Sequence, residues 1–184
     1  MNTADRLIAA RCQLLLVDFQ ARLMPVIHDG PDVLRRAVML ADAARLLGVP
    51  VHGTEQNPRG LGPNDPVVRQ RCASTLVKMH FDACEDGLLQ TLDQTPASPE
   101  LVVAGCEAHV CLLQTALGLR RAGRRVWVVA DACGSRRAAD HALAMQRLRD
   151  AGVTLVSTEM VLFEWAHDCR HPAFKDLLAL VKNG

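Results

Sequence analysis

Three segments of this chain share one design. "ARLLGVPVHGT", "LRRAGRRVWVVAD" and "LRDAGVTLVST" each run from a helical pattern through Gly into a Val-rich stretch. Glycine suits the left-handed residue that follows a helix end, and near-continuous apolar strands suit a sheet covered on both faces. A repeated joint of this kind restricts the fold to a parallel α/β arrangement. Adding "CQLLLVD" (12–18), "STLVK" (74–78) and "ELVVAG" (100–105) brings the total to about six strands. Helical patterns fill most gaps, at roughly 31–47, 85–94, 109–122, 136–150 and 172–181. The segment "TEQNPRGLGPNDP" (54–66) carries four Gly or Pro positions before Asn64 and reads as a long loop, the kind of segment that often serves a site. A length of 184 residues fits a single domain over 1–184, able to bury roughly 70% of the surface its unfolded form exposes.

Composition excludes several classes of function. A formal charge of +1 leaves no nucleic-acid footprint, and aromatic side chains for base stacking are scarce, with no Tyr. Neither a nucleic-acid nor a membrane partner is expected. No run approaches the 18 consecutive apolar residues of a membrane span. "RLIAARCQLLLVDFQ" is interrupted by two Arg and an Asp, and reads as a strand rather than a leader. The seven cysteines are odd in number and widely scattered, unlike a secreted disulfide framework, so a reducing, cytoplasmic setting is expected.

In an open parallel sheet, ligands bind outside the carboxyl ends of the strands. The residues at those ends are Asp18, Thr54 with Glu55, Lys78, Gly105 with Cys106, Asp131, and Thr158 with Glu159. Lys78 stands out because the chain uses 18 Arg and only three Lys, the other two lying in the C-terminal tail. A compact ammonium holds a carboxylate without a broad guanidinium fork, although a Lys at a strand end also simply reaches water. Asp18 should reach the same rim, or else cap a turn. Cys111 falls in the first turn of the helix after strand 100–105, where free N–H groups and the helix dipole favour a thiolate; the alternative is a small buried hydrophobe.

The segments "LLLVDFQ", "LVKMHFDAC" and "VVAGCEAHVCLLQTALGL" resemble, in order, the three signature segments of the isochorismatase-like cysteine hydrolase superfamily. "TEQNPRGLGP", "VVADACGSR" and "STEMVLFEW" extend the resemblance to the branch of isochorismatase-domain-containing proteins. It implies a three-layer sandwich with a six-stranded parallel sheet, the isochorismatase-like (Rossmann-like) fold. It also implies roles: Cys111 as nucleophile, Asp18 as general base, and Lys78 as the cation that orients Asp18 and stabilises the thiolate. A cis peptide between Cys106 and Glu107 is implied as well, aiming the backbone N–H of Glu107, with that of Cys111, at one oxygen. The reaction implied is hydrolysis of a small amide or related C–N bond through a thioester. A homo-oligomer acting on a small molecule without a cofactor is expected from the same resemblance.

Phe19, Gln20, Gln56, Phe81 and His109 adjoin the signature segments and are candidate walls of a substrate pocket. The Asp-x-His metal motif of many nicotinamidases in the superfamily is absent from "VHGTEQNPRG", although His52 and Glu55 remain, so no metal is expected. "HDCRH", with His167, Cys169 and His171, lacks a second paired half, and Cys106 with Cys111 is not a CxxC pair. No GxGxxG or GxxxxGK[ST] occurs. Two other readings stay open: a non-catalytic interaction module on the same fold, and an isochorismatase-type vinyl ether hydrolase. The second is disfavoured by Cys at 111.

Overall fold

A computed structural model describes residues 6–94 and 99–183. One sheet holds β1 (Cys12–Val17), β2 (Val51–Gln56), β3 (Ser74–Lys78), β4 (Glu100–Cys106), β5 (Arg125–Gly134) and β6 (Thr154–Val156), in the order β3-β2-β1-β4-β5-β6. Every neighbouring pair is parallel. The helices are α1 (Gly30–Leu46), α2 (Pro58–Leu61), α3 (Pro66–Arg69), α4 (Leu88–Leu92), α5 (Leu113–Arg121), α6 (Ala138–Asp150), α7 (Thr158–Ala166) and α8 (Phe174–Asn183).

The three repeated joints are three copies of one cap. Past the ends of α1, α5 and α6, Gly48, Gly123 and Gly152 take φ of 69°, 79° and 79°. The N–H groups of Val49, Arg124 and Val153 return to the carbonyls of Ala44, Leu119 and Leu148 at 2.8, 3.0 and 3.0 Å. These are Schellman closures, in which a left-handed residue lets the next N–H satisfy a free helix carbonyl. Each cap ends a helix and starts a strand within about two or three residues.

Alternation along the strands splits the core into two layers. Leu14 and Leu16 of β1, with Val102 and Ala104 of β4, pack on the face covered by α1, α7 and α8. Leu15 and Val17, with Leu101 and Val103, pack on the face covered by α5 and α6. Helix α1 commits Val33, Ala37, Leu40, Ala41 and Ala44 to the first layer, a stripe with the period of a half-buried helix. Covering both faces explains why β1 and β4 are buried along their whole length.

Several sequence expectations need correction. Residues 54–66 are not one loop: Thr54, Glu55 and Gln56 close β2, and two single-turn helices, α2 and α3, follow. The polar composition hid this strand end because its side chains bond to Asp18, the Asn64 N–H, Lys78 and the Met79 carbonyl rather than pack as hydrocarbon. The helix expected at 85–94 is broken by Gly87 (φ 94°) into a 3-10 turn, Ala83–Asp86, and α4. Helix α7 buries a regular stripe, Thr158, Val161, Leu162, Trp165 and Ala166, which the sequence pattern did not reveal because Met160 and Phe163, apolar too, lie on its exposed side. Asp131 is not at a strand end, because β5 continues to Gly134. Its carboxylate accepts from the Thr158 N–H at 2.8 Å and pairs with Arg36 at 2.9 Å, tying α7 to α1. No described helix is long and apolar enough to cross a membrane.

Candidate active site

The chain leaves β1 toward β2 and β3, then returns beside β1 as β4, so the topological switch lies between β1 and β4. Four carboxyl ends converge there. The register pairs Val17 with both Thr54 and Gly105, and Gln56 with Lys78. Gly105 has φ 152°, and a Cβ there would lie 2.3 Å from the Val17 carbonyl oxygen. Only glycine lets β4 run this close to the end of β1. Asp18 itself adopts a left-handed conformation, φ 53°, which Asp tolerates better than most residues, and this turns the chain at the end of β1.

The three chemically active side chains meet at this point. Lys78 Nζ lies 2.8 Å from Asp18 Oδ2, and neither side chain is exposed to solvent. Thr54 Oγ1 donates to Asp18 Oδ1 at 2.6 Å, so both carboxylate oxygens are engaged. The ammonium also donates to Gln56 Oε1 at 2.7 Å. Cys111 Sγ lies 3.9 Å from that same oxygen and interacts with both Asp18 and Lys78. Separating a buried ion pair by removing one partner typically costs about 3–5 kcal/mol, so Asp18 and Lys78 hold each other in place.

Cys111 does not sit in an ordinary helix start. The Cys106–Glu107 peptide is cis, and residues Ala108–Leu112 form a π-helical turn before α5 begins. The expectation of a resting thiolate is corrected by the surroundings: burial first, then the Asp18 charge, push the thiol up to about 12, against the lowering effect of Lys78. The sulfur is therefore protonated at neutral pH and lies beside a carboxylate able to take its proton. Across the turn, the Glu107 carboxylate accepts from Arg136 Nε at 2.8 Å.

The candidate pocket walls divide. Gln56 lies inside the cluster, bonded to Lys78 and, through Nε2, to the Met79 carbonyl at 2.7 Å. Phe19 is fully buried in the apolar layer with Leu14 and Leu16, so it is core rather than wall. Gln20 is fully buried too, and it clamps β2: its Oε1 accepts from Gln56 N at 2.8 Å while Nε2 reaches the Gln56 and Gly62 carbonyls. Both were placed by adjacency to Asp18, which does not distinguish the two faces of a chain. Phe81 is half exposed, and its carbonyl accepts from Thr115. His109 pairs with Ser135 Oγ at 2.9 Å and faces a cavity of about 280 Å³ shared with Asp82, Glu85, Arg121 and Arg147. Another cavity, of about 320 Å³, between α1, β5 and α6 holds His28, Asp131 and His141 but none of the three active side chains. Thr54 was recognised at a strand end but not as a site residue. The available signal was its position two residues before Gln56, on the same side of β2.

His52 and Glu55 are buried and separately engaged, His52 Nδ1 with Ser74 and Glu55 Oε1 with the Asn64 N–H. In the tail cluster, His167 Nδ1 lies 2.6 Å from Arg6, and His171 Nδ1 accepts from Ala173 N. Among the described residues no three His, Cys, Asp or Glu side chains converge to hold a metal ion.

The sequence profile of the Isochorismatase domain family matches residues 12–160. Isochorismatase domain-containing protein 2 from Danio rerio is 35% identical over 181 residues, covering 98% of this chain and 92% of the relative. Its Homo sapiens counterpart is 36% identical over 177 residues, covering 96% and 86%. Among solved structures, MAR1 ribonuclease from Caenorhabditis elegans superposes with a TM-score of 0.90 at 31% identity, covering 96% of this chain and 92% of that one. The YcaC gene product of Escherichia coli, described as an octameric hydrolase of unknown specificity, superposes with a TM-score of 0.85 at 23% identity over 100% and 99% of the two chains. At that identity the likeness is one of fold.

Proposed function

We propose that this chain, which belongs to the isochorismatase family and to its branch of isochorismatase domain-containing proteins, is a cysteine hydrolase that cleaves a small amide or related C–N bond. The observation that carries the proposal is the buried cluster of Asp18, Lys78 and Cys111, joined through the Asp18–Lys78 ion pair and Gln56 Oε1. In the proposed reaction, Cys111 Sγ attacks the carbonyl carbon as its proton passes to Asp18. Backbone N–H groups of Glu107 and Cys111 receive the developing oxyanion, a role worth about 3–4 kcal/mol per donor in comparable sites. The C–N bond then breaks, and the amine leaves with the proton from Asp18. Water deprotonated by Asp18 attacks the thioester, and the proton returns to the sulfur as the acid departs. Lys78 keeps Asp18 oriented through each transfer, and no cofactor is needed for these steps.

Of the candidate walls we propose Phe81, His109 and Gln56 as substrate contacts, on the half exposure of Phe81 and the contacts of Gln56 Oε1 with Lys78 and Cys111; the cavity beside His109 is lined by none of Asp18, Lys78 and Cys111. For assembly we propose a homo-oligomer. The E. coli relative is described as octameric, and Val77, Met79 and Phe81 expose 55%, 64% and 50% of their surface along and beyond edge strand β3.

The C. elegans relative is named a ribonuclease, so an RNA oligonucleotide belongs in the functional test. A panel of small amides and ureides is assayed for ammonia release beside that oligonucleotide, using the wild-type protein and Cys111→Ala. The expected result is ammonia from at least one compound, lost by at least about a thousandfold in Cys111→Ala. Cleavage of RNA alone, or turnover untouched by Cys111→Ala, would overturn the reading.

A further inference from the structure

The turn after β3 is used twice by the active cluster. The Lys78 ammonium reaches the His80 carbonyl at 3.5 Å, and Gln56 Nε2 donates to the Met79 carbonyl at 2.7 Å. The N–H groups of those same two residues converge on one atom: Asp86 Oδ2 accepts from Met79 N and His80 N, each at 2.8 Å. Asp86 Oδ1 meanwhile lies 3.0 Å from His80 Nδ1. One carboxylate, on the 3-10 turn Ala83–Asp86, thus holds the outer side of a two-residue turn whose inner side holds Lys78 and Gln56.

We propose that Asp86 is a positioning residue for the active cluster, fixing the Met79 carbonyl that holds the Gln56 amide and, through Gln56 Oε1, placing the Lys78 ammonium against Asp18 and Cys111. The proposal rests on the cysteine hydrolase reading and adds to it a residue that touches none of the reacting atoms. The His80 N–H and the Met79 carbonyl belong to one peptide plane, so anchoring that N–H on Asp86 keeps the carbonyl aimed at Gln56 Nε2; the Met79 N–H shares its plane with the Lys78 carbonyl, which accepts from Asn57 N at 2.9 Å. Releasing that plane lets Gln56, and with it the ammonium bonded to its Oε1, drift, and displacements of about 1 Å at a reacting group cost on the order of a hundredfold in rate. Lys78 is the group that lowers the Cys111 thiol against burial and Asp18, so its drift raises that thiol further.

His80 strengthens the clamp in a pH-dependent way. Its imidazole is raised from the ordinary value, first by the hydrogen bond to Asp86 and then by the charges of Asp86 and Glu85, whose Oε2 lies 3.9 Å from Nε2. The charged tie is therefore complete below the ordinary His range and weakens as pH rises through the raised value. The two backbone bonds to Oδ2 do not titrate with His80.

The test is the pH profile of Cys111 alkylation by iodoacetamide, mapped by mass spectrometry, with thermal midpoints measured alongside. Wild type, Asp86→Ala, Asp86→Ser, Asp86→Asn and Asp18→Asn are compared. Over about pH 8.5–10.5, Asp86→Ala and Asp86→Ser are expected to react about tenfold more slowly, equivalent to about one unit of thiol shift. Asp86→Asn, whose amide oxygen can accept both N–H groups, should stay within about twofold of wild type in that range. Lowered thermal midpoints with an unmoved alkylation profile would overturn the positioning role. Should Asp86→Ala not fold, Asp86→Ser decides by the same criterion. Failure of Asp18→Asn to change the profile would instead break the coupling of Asp18 with Cys111, and with it the hydrolase reading.

Discussion

At the scale of single residues, the decisive balance is the one on the Cys111 sulfur. Burial and the Asp18 carboxylate push its thiol up to about 12, and Lys78 only partly opposes them. In the proposed mechanism the proton therefore leaves as the sulfur forms its new bond. Replacing Asp18 by Asn removes the charge that raises the thiol and leaves the ammonium that lowers it. The thiol of Asp18→Asn should titrate at least about one unit lower, and its alkylation profile should move to lower pH while hydrolysis is lost. An upward shift, or none, would contradict the charge coupling. Asp18 and Lys78 stood out in the sequence as charged residues ending apolar runs and Cys111 as a thiol in the turn after strand 100–105, while their grouping came from the family resemblance. Phe19 and Gln20 were misassigned because adjacency in sequence says nothing about side-chain direction, and the left-handed turn at Asp18 sends its neighbours into the core and the β2 clamp.

At the scale of elements, glycine does two different jobs. Gly123 sits at a helix cap with nothing within 4 Å of a built Cβ, so Gly123→Ala meets only the cost of a positive φ, about 1 kcal/mol. Gly105→Ala would drive a Cβ to 2.3 Å from the Val17 carbonyl, where the neighbour is backbone and cannot yield without moving β1. Strain and overpacking together predict a loss of at least about 3 kcal/mol. Urea melts with unchanged slope measure both, and equal losses for the two variants would contradict this account. The helix–Gly–strand joints announced the caps and hence the parallel sheet. The polar end of β2 and the π turn before α5 did not announce themselves, because each is held by tertiary partners rather than by local propensity; helix α7 carried a local start signal in Ser157, whose hydroxyl accepts from Met160 N.

At the scale of the whole molecule, the layered order of the sheet brings four strand ends to one switch point, and the family's fold follows from patterning that a single sequence displays. The apolar residues along and beyond edge strand β3 argue that the chain does not act alone. Sedimentation velocity at micromolar concentration should give a species several times 20.1 kDa, and a lone 20.1 kDa species would overturn the proposed assembly. The substrate was not legible, since the proposed contacts Phe81 and His109 come from separate segments and their spacing is set by packing. The central claim is that catalysis passes through a covalent bond to one sulfur. It is tested most directly by acid-quenching the enzyme during turnover of a hydrolysed amide and weighing the peptide that contains Cys111. An acyl adduct on Cys111 that decays with the rate of turnover is the expected result; steady turnover with that peptide unmodified would contradict the account.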